Sequence, residues 1–424
     1  MDRPLKLPIS TIAPSAGAAA AASIRKRASR SLRKPGVPLT RRHASSHTAR
    51  KPARFIAPVC ETGSGVANPS RPSASLGPSY RKTVSPPEPV RVVVVTPVRN
   101  EAWILERFLA VTSRFADQII VADQRSTDDS RAICRRYPKV VVIDNPTDEF
   151  NERDRQVLLL RQARALVPPP RVIMALDADE ILAANAVHSP SWQRMLAAPP
   201  GTIVCFERVE LYGTPDQCLR HDQLRPLAYV DDGAEHTPRD MHSMRVPMPD
   251  YARRLMLDDI AVLHYASLRP SALAAKLRWY NVIENVRGTC PWVFKRRLRY
   301  VMHIDFTGAG RVGPCSVDWL RGWEDAGIDM RTVPEEHYYW YDFDVLRYLK
   351  EYGARKFWLD DIWHFDWEAC RLHAKSRGIP NVPGVPVRAP PRALVVAMDV
   401  LSTLHRVQRR LRHRLTGRSA PRFA

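Results

Sequence analysis

Asp177-Ala178-Asp179-Glu180 places three acids in four residues directly after the apolar run Val172 to Leu176. In an extended chain alternate side chains fall on the same side, so Asp177 and Asp179 would present two carboxylates together. Paired hard oxygen ligands suit Mg2+ or Mn2+, which complete their shells with water and substrate phosphates. Two clustered negative charges are also costly unless a cation accompanies them. Helix capping accounts for acids and amides such as Asn100 and Asp128, but not for this pair at the end of a buried run.

The elements that would position these acids alternate in type. Val90 to Thr96 is a β-branched run, and Ile104, Leu105, Phe108 and Val111 recur at helical spacing over Ala102 to Thr112. Next come an apolar strand at Gln118 to Ala122, a turn with Asp123, Ser126, Thr127 and Asp128, a helix to Tyr137 and a strand at Val140 to Ile143. A helix from Glu152 to Leu166 precedes the strand that ends at Leu176. Nearly all-apolar strands alternating with helices predict an α/β fold, a parallel sheet flanked by helices on both faces. Ligands bind such sheets beyond the carboxyl ends of the strands, and that is where Thr96, Arg99, Asp123, Asp177 and Asp179 fall.

The stretches VVVVTPVRNEAWILERFL, IIVADQRSTDDS and VIMALDADEIL, in this order and spacing, resemble the nucleotide-binding half of the family 2 glycosyltransferases, enzymes of the GT-A fold. LDDIAVLHYA, KLRWYNVIE, GIDM, YYWYDFDVLRYL and KFWLDDIW further resemble the C-terminal portion of a bacterial branch of that family, extending the likeness over about residues 88–370. The resemblance implies transfer of a sugar from a nucleotide-sugar donor to an unidentified glycan, lipid or small-molecule acceptor, with inversion and with Mg2+ or Mn2+. It implies that Thr96 and Pro97 lie against the nucleobase, that Asp123 accepts a hydrogen bond from it, that Asp177 faces ribose and metal, and that Asp179 is the principal metal ligand. Arg161 or Arg164 would approach the diphosphate, Arg99 after the first strand counts among the nucleotide-binding candidates, and His264 would complete the metal site. The turn after Asp123 departs from the family, reading Gln124-Arg125-Ser126 where a glycine is usual, so its geometry is not implied. A base must also take the acceptor proton. Asp258, Asp259, Glu235 and Asp240 are candidates, and Asp259 is the expected one.

The rest of the chain divides by composition. Of 65 Lys and Arg against 44 Asp and Glu, the surplus of +21 sits at the ends, and residues 88–387 are close to neutral. Residues 1–87, rich in Pro, Ser, Ala and Arg, read as a disordered basic segment; a translated upstream extension or an organellar targeting sequence has the same composition. Residues 88–268 read as the nucleotide-sugar-binding core, 269–379 as a helical, aromatic-rich acceptor-side region, and 380–391 as a Pro-rich linker. Eight of the ten tryptophans lie between Trp279 and Trp367, where packing competes with sugar stacking as their use. In 392–424, Val400, Leu404, Val407, Leu411 and Leu415 share one helical face and arginines flank it, the pattern of a tail that lies on an anionic membrane surface. Seven scattered cysteines without a C-x-x-C pair argue against a disulfide framework or structural zinc and for a cytoplasmic enzyme, peripheral on the membrane through that tail. A nucleotidyltransferase of related fold is the alternative enzyme. The neutral core makes specific nucleic-acid binding unexpected, and binding to nucleic acid or membrane through the basic ends is the alternative of another class.

Overall fold

The structure is a computed structural model and describes residues 88–220, 223–300 and 311–416. The segment expected to be disordered, 1–87, lies outside the described residues, as does the end of the basic tail. The first half folds as the alternation of its apolar runs requires. Strands β1 (Arg91–Val98), β2 (Gln118–Asp123), β3 (Val140–Asp144) and β4 (Arg171–Ala175) pair in parallel in the order β3-β2-β1-β4. Helices α1 (Ala102–Thr112), α2 (Ser130–Cys134) and α3 (Glu152–Leu166) connect them. Val92 and Val94 pack on one face of the sheet with Ile104, Leu105 and Phe108 of α1, and Val93 and Val95 pack on the other with Leu159, Leu160 and Ala163 of α3. Both faces are covered, and this is why β1 carries no polar alternation.

The sheet then continues with antiparallel strands that the apolar runs did not announce. After β5 (Glu180–Leu182) and α4 (Pro190–Leu196) come β6 (Thr202–Tyr212), β7 (Thr214–Arg220), β8 (Arg225–Val230) and β9 (Arg253–His264). β8 pairs antiparallel with β4 and with β6, while β9 pairs parallel with β6 and antiparallel with β5. These pairings carry the end of β9 back to the acid-bearing edge.

The C-terminal part is mainly helical, with α5 (Pro270–Arg287), α6 (Val293–Arg299), α7 (Asp318–Glu324), α8 (Trp340–Tyr352), α9 (Trp367–Ser376) and α10 (Arg392–Thr416). It does not form one layer. Trp279, Val282, Leu346, Leu349, Phe357 and Trp367 make a helical core between α5, α8 and α9. Residues 311–330 instead return to the sheet: β10 (Arg311–Pro314) pairs with β7, and Trp319, Leu320, Trp323 and Met330 join the core under β9. α7 comes so close that a Cβ on Gly322 would lie 2.8 Å from the Ala184 side chain. The expected helical region 269–379 is therefore divided between two cores. No helix among the described residues is long and apolar enough to cross a membrane, and the six described cysteines are free.

Candidate active site

The site edge is built by two loops bonded to each other, one of which caps the other's helix. Asn100 adopts φ 56°, a left-handed conformation that asparagine tolerates better than most side chains. Its Oδ1 accepts from Thr127 N at 2.7 Å, and its own N–H donates to Ser126 Oγ at 2.9 Å. Asp128 accepts from Ala102 N, the start of α1, at 2.9 Å and from Ser130 N, the start of α2, at 3.0 Å. Asp128 thus caps α1 from the facing loop and α2 from its own, whereas Asn100 bonds the loop three residues before α2 and caps no helix. Arg125 takes φ 55° where the related turn has glycine, so the left-handed turn survives without it, and Arg125 Nη1 meets Asp148 Oδ2 at 2.6 Å.

Behind this loop Asp123 is buried at the end of β2. Its Oδ2 accepts from Arg131 Nη1 at 2.8 Å, while its Oδ1 and the buried Thr96 Oγ1 have no hydrogen-bond partner among the described residues. Unpaired buried acceptors are expensive and mark a place for a ligand donor. Pro97, Arg99 and Gln124, the next residues along each chain segment, lie on the wall of a cavity of about 470 Å3, whereas Thr96 and Asp123 sit behind that wall and do not line it. Arg99 donates to Asp148 O at 3.2 Å and stacks on the Trp340 ring with its guanidinium 4.3 Å from the centroid.

Asp177 and Asp179 line the middle of the cavity, but their carboxylates go to different partners. Asp177 Oδ2 accepts from Arg245 Nη2 at 2.7 Å. Burial disfavours its charge, yet the Arg245 guanidinium wins and holds the carboxyl below its ordinary range. Asp179 Oδ2 is 3.4 Å from His264 Nε2, brought there because Glu180 and His264 are register partners in the β5–β9 pair. Burial again opposes ionisation of Asp179 and His264 overcomes it, so the carboxyl stays well below its usual value. On the far side His264 Nδ1 meets Glu210 and lies 2.8 Å from Arg208 Nη2. Burial and Arg208 disfavour the imidazolium, but Glu210 and Asp179 outweigh them and push it up to about 9. Two aspartates and an imidazole fit Mn2+ or Mg2+ in kind, with Mn2+ the better match to a nitrogen ligand.

Several lining groups were not anticipated. Glu101 accepts from Trp103 Nε1 at 2.7 Å, and burial together with Asp179 pushes its carboxyl up to about 8. Arg155 of α3 and Lys276 of α5 face Asp177, and both lower its pKa. Lys276 lies beside Tyr341 and Tyr280, which with Asp179 and Asp177 outweigh burial and keep the ammonium charged. The α3 spacing showed Arg155 as readily as its neighbours, but Arg245 sits in residues 231–252, which have no periodicity to read.

Three expectations are corrected. Arg164 does not approach the cavity, because Asp231 at the end of β8 takes it through Nη2 at 2.7 Å. Arg161 is exposed on another face of α3, and Arg155 is the α3 cation that faces the acids. Asp259 is exposed on β9 away from the cavity; its carboxylate accepts from Ser189 Oγ at the start of α4, and its carbonyl accepts from Asn185 Nδ2 at 2.8 Å. Of the other proposed bases, Asp258 is exposed outside the cavity, and Glu235 and Asp240 line a second one. The tryptophans divide as well: Trp319, Trp323 and Trp367 are buried in cores, Trp340, stacked on Tyr341 at 4.0 Å, lines the cavity, and Trp279 belongs to the helical core and also reaches the cavity wall.

Residues 93–254 match the model of glycosyl transferase family 2. The chain carries a family 2 glycosyltransferase domain. Among solved structures, glucosyl-3-phosphoglycerate synthase from Mycobacterium tuberculosis, in complex with Mn2+, UDP and glucosyl-3-phosphoglycerate, is 18% identical over 28% of this chain and 44% of that one, with a TM-score of 0.20. Mannosyl-3-phosphoglycerate synthase from Rubrobacter xylanophilus is 18% identical over 29% of this chain and 41% of that one, TM-score 0.21. 4-Diphosphocytidyl-2C-methyl-D-erythritol synthase is 16% identical over 33% of this chain and 74% of that one, TM-score 0.24. The chain spans less than half the length of the two phosphoglycerate synthases. No curated protein matches it. In the glycosyltransferase domain the acid pair therefore follows β4, and the match ends at the start of β9, ten residues before His264.

Proposed function

We propose that the cavity binds a nucleotide-sugar and passes its sugar to an acceptor hydroxyl with inversion at the anomeric carbon. The observation that carries this reading is the meeting of Asp179 and His264 beside Asp177, at the strand edge that also holds the unpaired Asp123 and Thr96 oxygens. Asp123 Oδ1 would accept a base N–H, with Pro97 and Thr96 against the ring. Asp179, His264 and Asp177 would hold Mg2+ or Mn2+. When bound, the ion supplies positive charge to the leaving diphosphate. Lys276 and Arg155, facing Asp177, would contact the same phosphates, while Arg245 keeps Asp177 ionised and oriented. Trp340 and Tyr341 would offer the sugar an aromatic wall.

The test is release of nucleoside diphosphate from UDP-glucose, UDP-galactose, UDP-N-acetylglucosamine and GDP-mannose, each with Mn2+ and with Mg2+. Release from one donor, abolished in Asp179→Ala of unchanged fold, is expected. A full-activity Asp179→Ala removes the metal assignment, and label arriving from the nucleotide rather than the sugar makes the enzyme a nucleotidyltransferase.

We also propose peripheral attachment to anionic membrane on the cytoplasmic face through α10. Met398 and Ser402 pack inward, and Ser402 Oγ accepts from Arg297 Nε at 2.8 Å. Val396, Val400, Leu404, Val407 and Leu411 remain about half exposed in one stripe of the helix. Such a stripe beside a basic face suits a lipid interface. Equal recovery in the supernatant, with and without residues 388–424, after sedimentation with phosphatidylserine vesicles would reject it.

A further inference from the structure

The proposed reaction needs a base that none of the four acidic candidates supplies from inside the donor cavity. His242 lies on the boundary of that cavity and of a second one of about 830 Å3, and it lines both. It sits in residues 231–252, between β8 and β9, and adopts φ 54°. A left-handed conformation at a non-glycine residue persists only where its surroundings impose it, and such positions cluster at working sites.

His242 Nε2 is 2.7 Å from Tyr300 Oη and 3.6 Å from Glu284 Oε1, and Nδ1 has no partner among the described residues. Glu284 is buried on α5 and takes Arg299 Nη1 at 2.6 Å. Burial opposes its charge, but bonds from His242, Tyr300 and Arg299 hold it below the ordinary carboxyl range, so it faces the imidazole as an anion. Tyr280 covers the ring at 5.5 Å between centroids, and the next residue, Ser243, is tied through its N–H to Glu152 Oε2 at 2.9 Å. Hydrogen on Nε2, donated to Tyr300 Oη with the Glu284 carboxylate behind it, would leave the Nδ1 lone pair for chemistry, the arrangement of a base and its orienting groups.

We infer that His242 is the catalytic base of the transfer, with Glu284 as its positioning residue and the larger cavity as the acceptor side. This rests on the nucleotide-sugar reading of the donor cavity. Nδ1 takes the proton of the acceptor hydroxyl as that oxygen bonds to the anomeric carbon. The bond from that carbon to the diphosphate oxygen breaks, and its electron pair leaves with the nucleoside diphosphate. Glu235, Asp240, Arg239 and Arg299 on the larger cavity's wall suit a hydroxyl-rich, sugar-like acceptor.

The experiment compares wild type, His242→Gln and Glu284→Gln by calorimetric binding of UDP or GDP with Mn2+ and by diphosphate release from the donor the screen selects, with water and with methyl glucoside as acceptors. His242→Gln should lower kcat by about 10²- to 10⁴-fold, the range of a lost general base, with nucleotide affinity within about twofold of wild type. Glu284→Gln should lower kcat by about tenfold without raising the donor KM. His242→Gln that retains more than a tenth of the wild-type kcat, or loses nucleotide affinity in step with turnover, overturns the inference while the donor site stands. A wild type that binds neither nucleotide overturns the donor site itself and the inference with it.

Discussion

Removing the Asp231 carboxylate should show how firmly the sheet anchors the segment that carries Arg245 and His242. The side chain is fully buried and receives Arg164 Nη2 at 2.7 Å, Arg171 Nε at 2.7 Å and Gly233 N at 3.3 Å. Asp231→Ala leaves Arg171, only 8% exposed, without a counter-charge, whereas Arg164, a quarter exposed, can turn to water. Breaking a buried ion pair from one side costs about 3 to 5 kcal/mol. The escape route of Arg164 places this case at the lower end, about 3 kcal/mol. At about 2.1 cal/mol/K of unfolding entropy per residue, a chain of 424 residues turns that into a fall of roughly 3 to 5 °C in Tm. The effect has a pH signature. Burial opposes the charge of Asp231, but the two arginines prevail and hold its pKa below the ordinary value. Its stabilisation is therefore complete above the unfolded pKa of about 3.9 and is lost as pH falls through the folded value. Thermal unfolding of Asp231→Ala and wild type at pH 7, 5 and 3 should show a gap that is full at the first two and narrower at the third. A gap under about 1 kcal/mol at pH 7, or one that does not narrow in acid, would refute the reasoning.

Asp179→Asn should weaken Mn2+ binding by at least tenfold in calorimetry while circular dichroism stays unchanged, because the amide cannot replace the anionic ligand. Arg125→Gly should be neutral or stabilising by up to about 1 kcal/mol in urea unfolding, since glycine removes a left-handed strain and the Arg125–Asp148 pair is largely exposed; a loss above 1 kcal/mol would show that the pair matters more than the strain. Gly322→Ala should cost about 1 to 3 kcal/mol, because its Cβ would meet Ala184 at 2.8 Å between α7 and the chain after β5. A variant as stable as wild type would mean that α7 can slide on the sheet.

The parallel half was legible because β1, β2 and β4 are buried on both faces and their apolar runs admit no other reading. The helix expected from Glu152 to Leu166 has those limits in the structure. The strands β6 to β9 carried no comparable pattern: β6 is buried along its first half and alternates only in its second, and β9 is exposed for much of its first half. Asp123, Asp177 and Asp179 were legible as candidates because they end or closely follow apolar strands. His264 required the resemblance, since nothing local distinguishes it from a packed histidine. Arg164 and Arg161 were misjudged because helix spacing gives a face but not the identity of the neighbour that claims it, here Asp231 from a distant strand. Asp259 failed for the same reason, as its partner Ser189 lies 70 residues away. Arg245 and His242 come from an irregular segment, where position depends on anchors that no local pattern reveals.

The bonds that tie the turns after β1 and β2 together also bear on turnover. Neither turn can swing without breaking the bonds of Asn100 to Ser126 and Thr127 and the bond by which Asp128 holds the start of α1, so this corner is a braced template rather than a gate. Entry of the donor and departure of the spent nucleotide must then depend on the opposite bank, where the long stretch between β8 and β9 faces the first turns of α5 and α8. Catalytic tempo would be set by how readily that bank yields, and substitutions there should alter product dwell time before they alter recognition of the base.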